Sequence, residues 1–247
     1  MSSLRRLAAA AALALALPAL AACSGGDDPS QNADADADGS GEASPAEVLA
    51  FAGEQLGETA GVRLRLSTTD TPDVDPFLGS AEGVVTRAPA FEGQASGTFQ
   101  GQSATVAVRS VDGTFYAELP IVGWQDFDPA TLCAPDPATL IDPDAGVSSV
   151  LAEATDVEQG DEARAESDNE VTGTRYTATV PGSAMKNVLP CAPGDTFEGT
   201  FLVDADGRLR EAVLTGEFFS GAPELTYTIF LSDYGVEQDV TAPTDGP

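Results

Sequence analysis

Apolar side chains recur at every second position through much of this chain, and that period commits it to a sheet. Val62, Leu64 and Leu66 alternate with Arg63, Arg65 and Ser67, which marks a strand with one dry face and one wet face. Similar strands are expected near Ser80–Arg87, Phe91–Phe99, Ser103–Val111 and Thr114–Leu119, with Asp112-Gly113 as a tight hairpin turn. Further along, Thr174–Val180, Thr196–Val203, Leu209–Phe218 and Leu225–Ser232 read the same way, with a turn at Asp204-Ala205-Asp206-Gly207. About ten strands in this order make an antiparallel meander.

Three short segments switch to the helical period. Ser44-Pro45-Ala46-Glu47 combines an N-cap serine, a proline in the first turn and a glutamate placed to reach back to the cap. Val48, Leu49, Phe51, Ala52 and Leu56 then form one apolar face before Gly57. Asp144 is placed to cap a helix through Val147, Val150 and Leu151 that ends around Ala154. A third helix runs through Met185, Val188 and Leu189 and is stopped by Pro190. Between them, Ile121–Pro143 is rich in Pro and Asp and reads as irregular, and Thr155–Asn169 reads as a polar connection. The expected class is α+β, a curved sheet with helices laid across one side. Gly83, Gly93, Gly97, Gly101, Gly199 and Gly216 fall within or beside strand-like segments and suggest bends or bulges.

The N-terminus specifies where the chain works. Arg5 and Arg6 precede an apolar run from Leu7 to Ala22 that is broken only by Pro18, the order of a secretory signal and too short for a membrane span. Leu20-Ala21-Ala22-Cys23 closes it as a lipobox, so residues 1–22 are read as a lipoprotein signal peptide and Cys23 as the lipidated residue. Two or more acyl chains hold a protein stably on a bilayer, which places the chain on the outer face of the cell membrane. Residues 23–43 then form a flexible acidic tether with a reach of roughly 25 Å. Asp34, Asp36, Asp38 and Gly39 imitate the start of a calcium loop, but Pro45 stands where the closing glutamate belongs. Residues 44–247 make a single domain.

Composition removes several functions. The net charge of −29, with 11 basic residues, leaves no basic patch for nucleic acid. There is no histidine, which excludes Ser-His-Asp and Cys-His nucleophilic mechanisms and His-ligated zinc. No cofactor or metal is implied. Cys133 and Cys191 both sit in Cys-Ala-Pro, and outside the cytoplasm such a pair is expected to form a disulfide. That bridge closes a loop of about 58 residues, worth roughly 4 kcal/mol in the chain-entropy model.

The order of elements and several phrases resemble the LppX/LprG/LprA/LprF lipoproteins of mycobacteria and other actinobacteria, over about Ser44 to Pro243. The phrases are Val111-Asp112-Gly113-Thr114-Phe115-Tyr116-Ala117, the run Leu140-Ile141-Asp142-Pro143-Asp144-Ala145-Gly146-Val147-Ser148-Ser149-Val150-Leu151, and Leu231-Ser232-Asp233-Tyr234-Gly235. The lipobox fits as well. The resemblance implies a strongly curved antiparallel half-barrel with short helices across its concave face, enclosing an apolar cavity. It also implies a lipid or glycolipid ligand carried across the cell envelope, with a membrane lipid exporter as a further partner. The helix from Asp144 to Ala154 would then lie over the concave face. Alternation nominates Leu64, Leu66, Val106, Val108, Phe115, Val147, Val150, Leu151, Met185, Val188, Phe201, Val203, Leu225, Tyr227 and Ile229 as lining residues, although periodicity selects cavity and core positions by the same rule.

Two other classes remain open at this stage. An acid hydrolase would need a carboxylate pair, and Asp126 with Asp128, Asp142 with Asp144, and Asp204 with Asp206 are the close pairs. Each lies beside Pro or Gly, where turns recruit aspartate to cap backbone. A structural or sensory envelope lipoprotein with a filled core shares the anchor and the fold.

Overall fold

The computed structural model describes residues 43–132 and 134–244. The lipobox with Cys23, the calcium-like run of aspartates and Cys133 lie outside the described residues. The first helix, α1 (Pro45–Glu58), begins as its sequence dictates. The Ser44 hydroxyl accepts from the Glu47 N–H at 3.4 Å, and the Glu47 carboxylate accepts from the Ser44 N–H at 2.7 Å, so two orphan amide groups are satisfied reciprocally. Leu49, Ala52 and Leu56 are fully buried. Phe51 departs from the expected apolar face, being largely exposed and lying beside the turn at Gly207.

Eleven strands follow. β1 (Gly61–Ser67), β2 (Phe77–Thr86), β3 (Ala90–Phe99), β4 (Gln102–Val111), β5 (Thr114–Leu119) and β6 (Gly123–Phe127) form one meander. β7 (Thr155–Arg164), β8 (Thr172–Pro181), β9 (Thr196–Val203), β10 (Leu209–Gly216) and β11 (Leu225–Ser232) form a second. All pair antiparallel in a single open sheet ordered β6-β5-β4-β3-β2-β1-β11-β10-β9-β8-β7. The first and last strands meet at its centre, with Leu64 opposite Leu231 and Leu66 opposite Ile229. The chain walks from the centre out to β6, reappears at the far edge as β7, and walks back.

That topology dictates the cover. The connection from one edge to the other must cross a sheet face, and residues 128–154 do so with two short 3-10 turns, Pro129–Leu132 and Pro137–Thr139, and α2 (Val147–Ala152). The second turn packs on β2, β3 and β4, whereas α2 packs on α1 and on α3 (Gly182–Met185), which in turn touches β8 and β9. The connection thus packs on strands of the first meander through its irregular part and on the other helices through α2.

Several local expectations are corrected. The stretch expected to wander contains β6, and the polar connection contains β7. Asp144 caps no helix: the N-cap of α2 is Gly146, with no side-chain cap, and the Asp144 N–H instead donates to Asp142 at 2.8 Å in a local turn. The third helix is a single turn that ends before Val188. None of the six singled-out glycines marks a bulge, because the register shifts fall at Leu78/Ser80, Thr155/Glu158, Gln159/Glu162 and Leu209/Glu211. Gly83 and Gly216 instead make room for rings, since a Cβ at either would lie 2.5 Å or less from the ring of Phe91 or Phe197.

Candidate functional site

Pairing aligns one residue per strand into rows, and Leu64, Gly83, Gly93, Val108 and Ala117 form one such row. All the nominated lining residues come together. Leu64, Val108, Val147, Val150, Leu151, Met185, Phe201, Val203, Leu225, Tyr227 and Ile229 are buried in one continuous apolar cluster, and Leu66, Val106, Phe115 and Val188 pack against it half-buried. The cluster joins strands from both meanders to all three helices, and Ile141 of the edge-to-edge connection is part of it.

Within the cluster, Phe197, Phe218 and Tyr227 meet in series, tilted and then edge-to-face, with ring centroids 5.0 Å apart at each step. The Tyr227 hydroxyl donates to the Leu78 carbonyl at 2.7 Å. Burial, with the nearby Asp70 charge adding to it, pushes the Tyr227 phenol well above its ordinary range. Tyr234 is pushed up mainly by burial as well, and donates to the Leu209 carbonyl at 2.6 Å. Among the described residues one buried side-chain polar atom has no partner, the Ser148 hydroxyl of α2.

The outer face is different in kind. A small second cluster of Ala165, Leu202 and Phe230 is closed by the β7–β8 connection. Glu211, only 3 % exposed, accepts from the N–H groups of Glu166 and Ser167 at 2.9 and 2.8 Å and pins that connection down. Beside it an open cleft of about 390 Å³ is lined by Arg63, Arg65, Glu82, Glu92 and Gln94. Arg65 lies 5.0 Å over the Phe230 ring and donates to the Ser167 carbonyl. Nothing in the local sequence marked Glu211 as buried.

One aspartate of each close pair serves a turn, while Asp126 lies within β6. Asp128 accepts from the Ala130 N–H, Asp142 from the Asp144 N–H, and Asp204 from the N–H groups of Asp206 and Arg208 while it pairs with Arg210. Cys191 is engaged with a partner and has no free thiol to titrate. Its expected mate, Cys133, lies outside the described residues.

Comparison with known proteins follows the fold. The sheet superposes on the crystal structure of LprF from Mycobacterium bovis with a TM-score of 0.63 at 13 % identity, covering 81 % of this chain and 96 % of that one. The Mycobacterium tuberculosis lipoprotein LppX gives a TM-score of 0.58 at 16 % identity, covering 80 % and 98 %. In sequence, the lipoarabinomannan carrier protein LprG of Mycolicibacterium hassiacum is 30 % identical over 207 residues, covering 80 % of this chain and 84 % of the relative. The family description LppX_LprAFG lipoprotein matches residues 44–241, and with this the chain belongs to the LppX_LprAFG lipoprotein family.

Proposed function

We propose that this protein is a non-catalytic carrier, anchored through Cys23 to the outer face of the cell membrane, that holds the acyl chains of a lipid or glycolipid against the inner face of its sheet. The observation that carries this reading is the single apolar cluster running between both meanders and their cover. Burying apolar surface gains about 25 cal/mol per Å², so an acyl chain is held tightly by many interchangeable contacts rather than by a signature residue. The nominated lining residues are the ones that contact it.

Room for the chain comes from parting the cover, which is attached by short helices and an irregular crossing rather than by sheet hydrogen bonds. The likeness to a lipoarabinomannan carrier suggests an acylated glycolipid whose sugar stays in water at the mouth, handed to or from a membrane exporter. Residues 1–22 are the signal, 23–43 the tether and 44–247 the carrier domain, with Cys133 and Cys191 bridged.

Native mass spectrometry with lipid extraction, on the full chain produced in a lipid-rich actinobacterium, tests this. Co-purified lipid of defined mass, diminished by Val150→Trp and by Val106→Trp at the half-buried margin, supports the carrier. A protein that is consistently empty and takes up no fluorescent fatty acid overturns it. That outcome favours a filled structural or sensory core, the reading that the complete burial of Phe201 and the 1 % exposure of Val150 would then support.

A further inference from the structure

The hairpin between β5 and β6 turns through Pro120, Ile121 and Val122. It carries the most exposed large apolar side chains among the described residues, Ile121 at 104 % and Val122 at 60 %. Ile121 also sits at φ +79°, a left-handed conformation that a β-branched residue occupies only at a cost. Neither apolar cluster contains its side chain, so packing does not compensate for that strain. Glycine or asparagine would make the same turn without it.

The tip itself carries no charge, although Glu118 and Asp126 bound it in sequence and the Arg109 guanidinium lies 5.1 Å over the Trp124 ring. Gly93 to Val108 is a run of sixteen uncharged residues and Leu119 to Gln125 a run of seven, in a chain that is 21 % charged with a net charge of −29. Strand direction puts both runs at one end of the sheet, because β3 and β5 are parallel to each other across β4. Phe99 is half exposed at that end. Asp70, Asp73 and Asp75 lie in the β1–β2 connection at that end; the two carboxylate oxygens of Asp75 accept from the N–H groups of Gln100 and Gly101 at 2.9 and 2.6 Å, closing the β3–β4 turn.

We propose that the β5–β6 tip is a membrane-contacting wedge, in which Ile121 and Val122 enter the boundary between headgroups and acyl chains of a bilayer without net charge. Two uncharged runs are what a strongly acidic protein needs to approach such a surface, and anionic headgroups would repel the rest of it. Trp124, opposite Glu118 and one pair from the Leu119–Gly123 closure, would sit at headgroup level, where an indole is favourably placed. The site rests on membrane residence alone and requires no cargo in the apolar cluster.

Trp124 is the only tryptophan and therefore reports on the tip directly. The full chain, carrying a C-terminal hexahistidine tag, is held on phosphatidylcholine vesicles through a nickel-chelating lipid, with brominated phosphatidylcholine as a short-range quencher. The tag keeps every variant at the same surface density whether or not Cys23 is acylated. Trp124 emission is expected to be quenched, and the quenching to be lost in the double variant Ile121→Asn, Val122→Asn, whose first substitution suits the left-handed turn. Quenching that is absent in the wild type, or unchanged in the double variant, overturns the proposal and leaves a protein partner for the tip. Neither result depends on whether lipid co-purifies.

Discussion

The Tyr227 hydroxyl of β11 reaches across β1 to donate to the Leu78 carbonyl of β2 at 2.7 Å. Leu78 is where the β2–β3 register slips by one residue before Ser80, so this bond ties an irregular point of one meander to the aromatic series of the other. Tyr227→Phe keeps the ring and its contact with Phe218 and leaves the carbonyl short of a partner. A loss of about 1–2 kcal/mol is expected, read as a lower urea midpoint with an unchanged slope.

Alkaline pH should unfold the protein through the same residue and Tyr234. Both phenols are raised above the ordinary value of 10.0 mainly by burial, so the folded state binds protons that the unfolded state releases. Their contribution is fully present below pH 10 and is lost as pH rises beyond it toward the folded values. Tyrosinate absorbance should therefore lag behind that of free tyrosine until the fold melts. The urea midpoint should fall above pH 10, less steeply in Tyr227→Phe.

Adjacent serines of α2 should respond with opposite signs. The Ser148 hydroxyl is buried without a partner, and Ser148→Ala removes that desolvation cost, raising stability by about 1 kcal/mol. Ser149 donates to the Gly146 carbonyl at 2.8 Å and accepts from the Asn187 amide at 3.3 Å. Ser149→Ala should cost about 1 kcal/mol. Two alanine variants compared by thermal unfolding settle the signs, and equal effects would contradict the assignment.

What could be read in advance divides by range of interaction. The Ser44 cap, the bounds of β9 and β11, and the hairpin at Asp112-Gly113 are local, and each was legible. β7 was not, because it is an edge strand whose residues are nearly all exposed and so carry no alternation. β6 hid between Gly123 and a proline-rich run for a related reason: five residues at the other edge give too little pattern. The helix expected from Asp144 shifted because the Asp142 side chain had already taken the Asp144 amide into a turn. The β1–β11 pairing that centres the sheet joins residues more than 150 positions apart, and no local signal carries it. The members of the apolar cluster were legible as a set, since alternation depends only on which face is dry. Whether that face packs on protein or on an acyl chain is a property of the cover, which short helices and irregular chain write weakly into sequence.

The tip offers the sharpest separation of stability from function. Ile121 holds φ +79° with its side chain fully in solvent, so Ile121→Gly removes steric strain of about 1–2 kcal/mol. It gives back part of that gain, about 0.5–1 kcal/mol, as added freedom of the unfolded chain. The net expectation is a protein more stable by up to about 1.5 kcal/mol, seen as a higher thermal midpoint. The same substitution strips the wedge of its larger apolar side chain, so Trp124 quenching on brominated vesicles should fall. A residue kept for folding alone would show no loss on the vesicle, and a residue kept by packing would show a lower midpoint. A higher midpoint together with weaker quenching is the pattern expected when strain is retained because the exposed side chain has a surface to meet.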